Sequence, residues 1–178
     1  MSDEGPPPPI DRDPLSIACE LVGQFQYHFA RIEQALNVGI TILFGLNDIA
    51  SDIVCANLDF VRKVNIVRSQ VIMQFKDKDE YVNKLLGQIS GINDPDRQTV
   101  IHSSFEPHED GVKFTRLIAK KGLEHSPHIW PKKKFDDLCA TMDSLARELE
   151  QIVKDLEPYK PSLDFSDPRN SQYLALLV

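Results

Sequence analysis

Apolar residues recur at alternating steps of four and three along most of this chain. From Ala18 the series runs Val22, Phe25, Phe29, Ile32, Leu36 and on to Leu43, a helical period sustained over many turns. Asp13-Pro14 in front of it reads as an N-cap followed by a proline at the first helical position. Gly45 or Asn47 should end that helix. A short helix is predicted from Asp48 to about Ala56. A third, over 59–75, sets Phe60, Val64, Val67, Val71 and Phe75 on one face. Its valines and isoleucines would also suit a strand, but the spacing and the length decide for helix. A fourth, over 79–92, carries Val82, Leu85, Leu86, Ile89 and Ile92, with Gly87 and Gly91 weakening its end. Pro131 opens the last helix, whose seam is Phe135, Leu138, Met142, Leu145, Leu149, Ile152 and Leu156. So long a seam must pack along a long partner, in the same bundle or in a second subunit.

Between the fourth and the last helix the pattern changes. Residues 112–119 read as a strand, Lys120-Lys121-Gly122 as a tight turn, and Leu123 as the start of a return strand. The fold class predicted is all-α: an up-and-down bundle of four to five helices with a β-hairpin inserted before the last long helix. Residues 1–12, with four consecutive prolines, read as a disordered segment, 13–157 as the helical domain, and 158–178 as a tail. The tail is polar and proline-containing, then turns apolar at Tyr173-Leu174-Ala175-Leu176-Leu177-Val178, a stretch expected to dock on its own bundle or on a neighbour.

At 178 residues one domain is the default, with ordinary hydrophobic and charged fractions. No apolar run is long enough to span a bilayer, and no signal-peptide core is present, so a cytoplasmic protein without membrane contact is expected. Cys19, Cys55 and Cys139 are odd in number and widely spaced, and read as buried thiols in a reducing compartment. The net charge of −7 argues against a general nucleic-acid sponge. The charge is uneven, however. Residues 113–134 hold seven basic side chains against Glu124 and carry +6, leaving −13 for the rest. The plain reading is a solvated face; the sharper one is a flank that contacts phosphates.

That flank follows Asp94-Pro95-Asp96-Arg97-Gln98-Thr99-Val100-Ile101-His102, in which an arginine and a histidine have four residues between them. Asp94-Pro95 reads as a second N-cap, which puts Arg97 in a first helical turn, where the helix dipole disfavours a cation. The spacing resembles the Arg-x4–6-His motif of the HEPN superfamily, all-helical domains that include many metal-independent ribonucleases. The order of parts is similar too: a long first helix with Phe25-Gln26-Tyr27-His28-Phe29-Ala30-Arg31-Ile32-Glu33, further helices, the motif, a hairpin ending in Trp130, then a long amphipathic helix. The likeness covers residues 14–157, and Gln98 stands where the family often has asparagine, aspartate or histidine.

The resemblance implies a homodimer in which two Arg/His pairs face one cleft, an RNA substrate, and no cofactor. It implies that His102 moves a proton to or from the RNA 2′-hydroxyl while Arg97 stabilises charge on the phosphate. The chemistry is sound: histidine titrates near neutral pH, and arginine presents a planar fork to phosphate oxygens. Attack by the adjacent 2′-hydroxyl is intramolecular, needs no metal, and leaves a 2′,3′-cyclic phosphate. On an ideal helix five residues turn about 500°, leaving the two side chains roughly 140° apart, so they converge only through distortion or across a dimer.

Gln98, Ser103 and Glu33 are candidate supporting residues, and Lys113, Arg116, Lys120 and Lys121 candidate phosphate contacts. No metal site is expected: His125-x2-His128 encloses Pro127 and lacks a second ligand cluster. The function expected is a metal-independent endoribonuclease in a defence or toxin–antitoxin setting, with an antitoxin or other protein as partner. The alternative is a non-catalytic HEPN-like module that binds a protein or a nucleotide.

Overall fold

Asp13 accepts a hydrogen bond from the Ser16 amide, and Pro14 follows, so α1 (Pro14–Phe44) starts where the cap signature lies. It runs 31 residues, about 46 Å, to Gly45. α2 (Asp48–Ala56) is capped by Asn47, α3 (Phe60–Gln74) by Asp59. A 3₁₀ turn (Lys76–Lys78) leads into α4 (Asp79–Ile92). A π turn (Asn93–Arg97) and the short α5 (Gln98–His102) precede the sheet, and α6 (Lys132–Lys154) closes the domain. This computed structural model describes residues 13–119 and 123–158; the predicted turn at Lys120-Lys121-Gly122, the segment 1–12 and most of the tail lie outside them.

The helices alternate in direction. Thr41 Oγ1 is 2.5 Å from Ser51 Oγ, and Cys55 Sγ is 3.9 Å from the Asn37 carbonyl, so α2 descends along α1. α3 climbs again, with Phe29 on Phe60 and Glu33 on Lys63. α6 rises beside α1, and this answers the question of its seam: the partner is α1 of the same chain. Gly39 allows that closeness, since a Cβ there would lie 3.3 Å from Val153 and 3.5 Å from Val67. Arg31 of α1 clasps α6: it donates to both carboxylate oxygens of Glu150, at 2.7 and 2.9 Å, and to Asp143 at 2.5 Å. Glu150 is held below the ordinary carboxylate range by Arg31. Burial pushes Asp143 up, but Arg147 and Arg31 outweigh it and hold this carboxyl low as well.

The inserted element is larger than a hairpin. β1 (Ser104–His108), β2 (Gly111–Ala119) and β3 (Leu123–Pro131) form one antiparallel sheet in the order β1-β2-β3. The domain is therefore a mostly helical bundle with a small sheet rather than all-α. Phe114 and Trp130 anchor the sheet, 5.3 Å apart, with Phe25 of α1 and Phe135 of α6 against the Trp130 ring at 6.0 and 5.3 Å. Cys55 and Cys139 are buried as expected, whereas Cys19 is exposed, because it follows the core-facing Ala18 and points outward. Among the described residues no helix is long and apolar enough to cross a membrane.

Candidate functional site

The motif segment is built differently from its cap signature. Asp94-Pro95 does not start a fresh helix; α4 runs on into the π turn, and α5 follows directly. Proline has no N–H to give to the preceding turn, and a wider turn absorbs that loss. Ile92 and Val100 stay buried on either side of it. Arg97 thereby occupies the N-cap position of α5, not its first turn, and no side-chain bond caps that helix.

Two contacts clamp this segment. The Arg97 guanidinium lies over the Phe29 ring, 4.7 Å from its centroid, and Phe29 rests in turn on Phe60 at 4.8 Å. On the other side Asp96 accepts from Lys134 Nζ at 2.9 Å, and the same ammonium sits 3.7 Å over the Trp130 ring. The π turn is thus tied to α1 by a cation–π contact and to α6 by an ion pair.

Several polar atoms here have no hydrogen-bond partner among the described residues although buried: Asn93 Oδ1, Arg97 Nε and Ser103 Oγ. An unmet buried polar group costs about 1–3 kcal/mol, so three within eleven residues are notable. Gln98, the first residue of α5, is half-buried. His102, its last, is exposed, and Ser103 beyond it is extended, with φ −115° and ψ 149°. Arg97 turns in toward α1 and His102 out to solvent, so one chain does not lay them on one stripe.

Glu33 does not line this segment as an unengaged carboxylate. Lys63 Nζ, almost wholly buried, donates to it at 2.7 Å. The pair lies one turn along α1 from Phe29 and links α1 to α3. The four predicted phosphate contacts also separate. Lys113 and Arg116 are an odd number of residues apart on β2 and project to opposite faces. Lys113 pairs across the sheet with Glu106 at 2.5 Å, an engagement that lowers the Glu106 carboxyl and offsets the charge of the lysine. Arg116 shares the face of the buried Val112 and Phe114. The register pairs Ser104, the first residue of β1, with Thr115, whose carbonyl accepts from the Ser104 hydroxyl. His102 and Ser103 stand at the α5–β1 junction and Arg116 lies on the neighbouring β2, whereas Arg97 is directed to Phe29 of α1. Lys120 and Lys121 lie outside the described residues. At the start of α6, Lys133 is bound to Asp137 at 2.7 Å and Lys134 to Asp96, so part of the +6 excess is neutralised locally.

Two features here escape the sequence reading. Phe29 is visible as a seam residue, but nothing local marks it as a platform for Arg97. The Asp96–Lys134 pair joins residues 38 apart, beyond any helical spacing rule. The Lys113/Arg116 split, by contrast, follows from strand parity alone. Comparison with family models, with curated proteins and with solved structures finds no match to this chain.

Proposed function

We propose that this chain is a HEPN-type domain acting as a metal-independent endoribonuclease, with Arg97 and His102 as its working pair. One observation carries the reading: among the described residues the Arg97 guanidinium rests on a ring, no carboxylate is paired with it, and its buried Nε has no partner. Arg31, Lys63, Lys113 and Lys134 all have acids within reach. An arginine positioned by stacking keeps its fork available for an anion such as a phosphodiester.

In this mechanism His102, exposed at the end of α5, takes the proton of the RNA 2′-hydroxyl or returns one to the leaving 5′-oxygen. Arg97 balances the charge that builds on the phosphate oxygens. Arg116, on β2 beyond the α5–β1 junction, contacts a neighbouring phosphate. Because Arg97 and His102 diverge within one chain, the reading requires a homodimer in which the histidine of one copy works with the arginine of the other. Ile101, beside His102 and exposed, suits such a contact. The test is cleavage of a structured RNA in EDTA. Activity in the wild type that falls at least a hundredfold in His102→Ala supports the reading (about 3 kcal/mol of barrier). An inert wild type, or a His102→Ala variant of equal activity, overturns it.

The same divergence favours the second reading, a non-catalytic HEPN-like module. There the domain binds a protein or a nucleotide through a surface other than the Arg97/His102 pair, and His102 has no proton to move. An Arg97→Ala/His102→Ala variant that keeps its bound partner would support it; loss of the partner would count against it.

A further inference from the structure

Away from the motif, α1 and α6 leave an open groove of about 560 Å³ between them. Its lining includes Tyr27, Ala30, Ala35, Val38, Val153 and Lys154. Ala30 and Ala35, both on α1, make the trough, because their small side chains leave room beside α6. Tyr27 forms one wall, edge-on to His28 at 5.3 Å, with 64% of its surface exposed. Val38 is 39% exposed at the far end. Arg31 and Glu150, whose charges satisfy each other, also border the groove, so its character is apolar. An uncovered apolar strip of this kind is a docking surface in search of its cover.

We propose that segment 173–178 of this same chain, Tyr173-Leu174-Ala175-Leu176-Leu177-Val178, covers the groove. The composition fits: the segment has no charged side chain and five large apolar residues. The reach fits as well. α6 ends at Lys154, and Val153 already lines the groove, so the tail departs beside one end of it. The other end, at Tyr27, lies level with the Asp143 turn of α6, roughly 20 Å back along the helix. The spacer 159–172 is polar and proline-containing, and extended it spans roughly 46 Å. Tethering raises the effective concentration of the segment to the millimolar range, so modest apolar contacts suffice to hold it. The other long groove, between α4 and α6, is smaller, about 400 Å³, and Tyr81 on its wall is already bonded to Glu148.

Hydrogen exchange of the whole chain tests this against a chain that stops after Gln172 and against full-length Val38→Asp. Thermal melts establish that both variants fold. The expected result is exchange of 27–38 several-fold faster in both variants than in the wild type, with the Phe25–Trp130 end unchanged. Equal exchange of 27–38 in the wild type and the shortened chain overturns the proposal. So does wild-type protection that grows with protein concentration alongside dimer in light scattering, which would assign the groove to a second copy.

Discussion

The Arg97 guanidinium sits 4.7 Å from the centre of the Phe29 ring, with Phe60 on that ring as well. A side chain on a late π turn is thereby oriented by a residue from the first helix. Phe29→Leu keeps the volume roughly but removes the π face, and should cost about 1–2 kcal/mol. A double-mutant cycle with Arg97→Met should show about 0.5–1 kcal/mol of coupling in urea melts. Strictly additive effects would mean that the stack does not hold Arg97.

Among the described residues, Glu33 and Lys63 form the contact in which a nearly buried ammonium depends on a single carboxylate. Glu33→Ala leaves Lys63 without that partner and should destabilise the domain by about 2–4 kcal/mol, somewhat less than a fully buried pair because Glu33 is partly exposed. Lys63→Met, which removes the buried charge itself, should be much milder. Urea midpoints of the two variants check this, and a Lys63→Met variant as weak as Glu33→Ala would contradict it.

The Arg31 clasp gives stability a definite pH dependence. Glu150 and Asp143 both titrate below their ordinary values of 4.5 and 3.8 in the folded chain. Each therefore binds fewer protons folded than unfolded at mildly acid pH. Their contribution is full above those ordinary values and is lost as the pH falls through the lowered ones. Arg31→Met should flatten the acid limb of a stability–pH curve while leaving its shape near neutrality unchanged. An identical acid limb in the variant would show that the clasp does not couple to protonation.

Gly111 turns β1 into β2 with φ at +156°, and a Cβ there would meet the Trp130 carbonyl at 2.2 Å. Backbone cannot yield as a flexible side chain can. Gly111→Ala should cost about 2 kcal/mol or more and loosen the sheet from α1 and α6. Trp130 fluorescence in a thermal melt reports both effects. A melt within a degree or so of wild type would contradict the close approach.

Much of the bundle was legible because its seams are periodic: Phe25, Phe29, Ile32 and Leu36, and Phe135, Met142, Leu145 and Leu149, are all buried. The Asp94-Pro95 cap signature misled because the buried stripe from Ile92 to Val100 overrides a local preference and carries α4 through a π turn. β1 escaped notice because Ser104-Phe105-Glu106-Pro107-His108 is short, mostly polar and contains a proline. An edge strand tolerates that proline, and pairing with β2 supplies the rest. Glu33 was legible as a rim residue, but its partner lies 30 positions away, and only the α1–α3 packing brings it close.

Arg97 and His102, in the function proposed above, cleave RNA through its own 2′-hydroxyl. The direct measurement uses a short RNA and the same RNA with one 2′-deoxy nucleotide at the cleaved position, both incubated with the full chain in EDTA. The expected result is that the all-RNA strand yields a 2′,3′-cyclic phosphate end and that the 2′-deoxy strand stays intact at that position. Cleavage of both strands, or of neither, would contradict it.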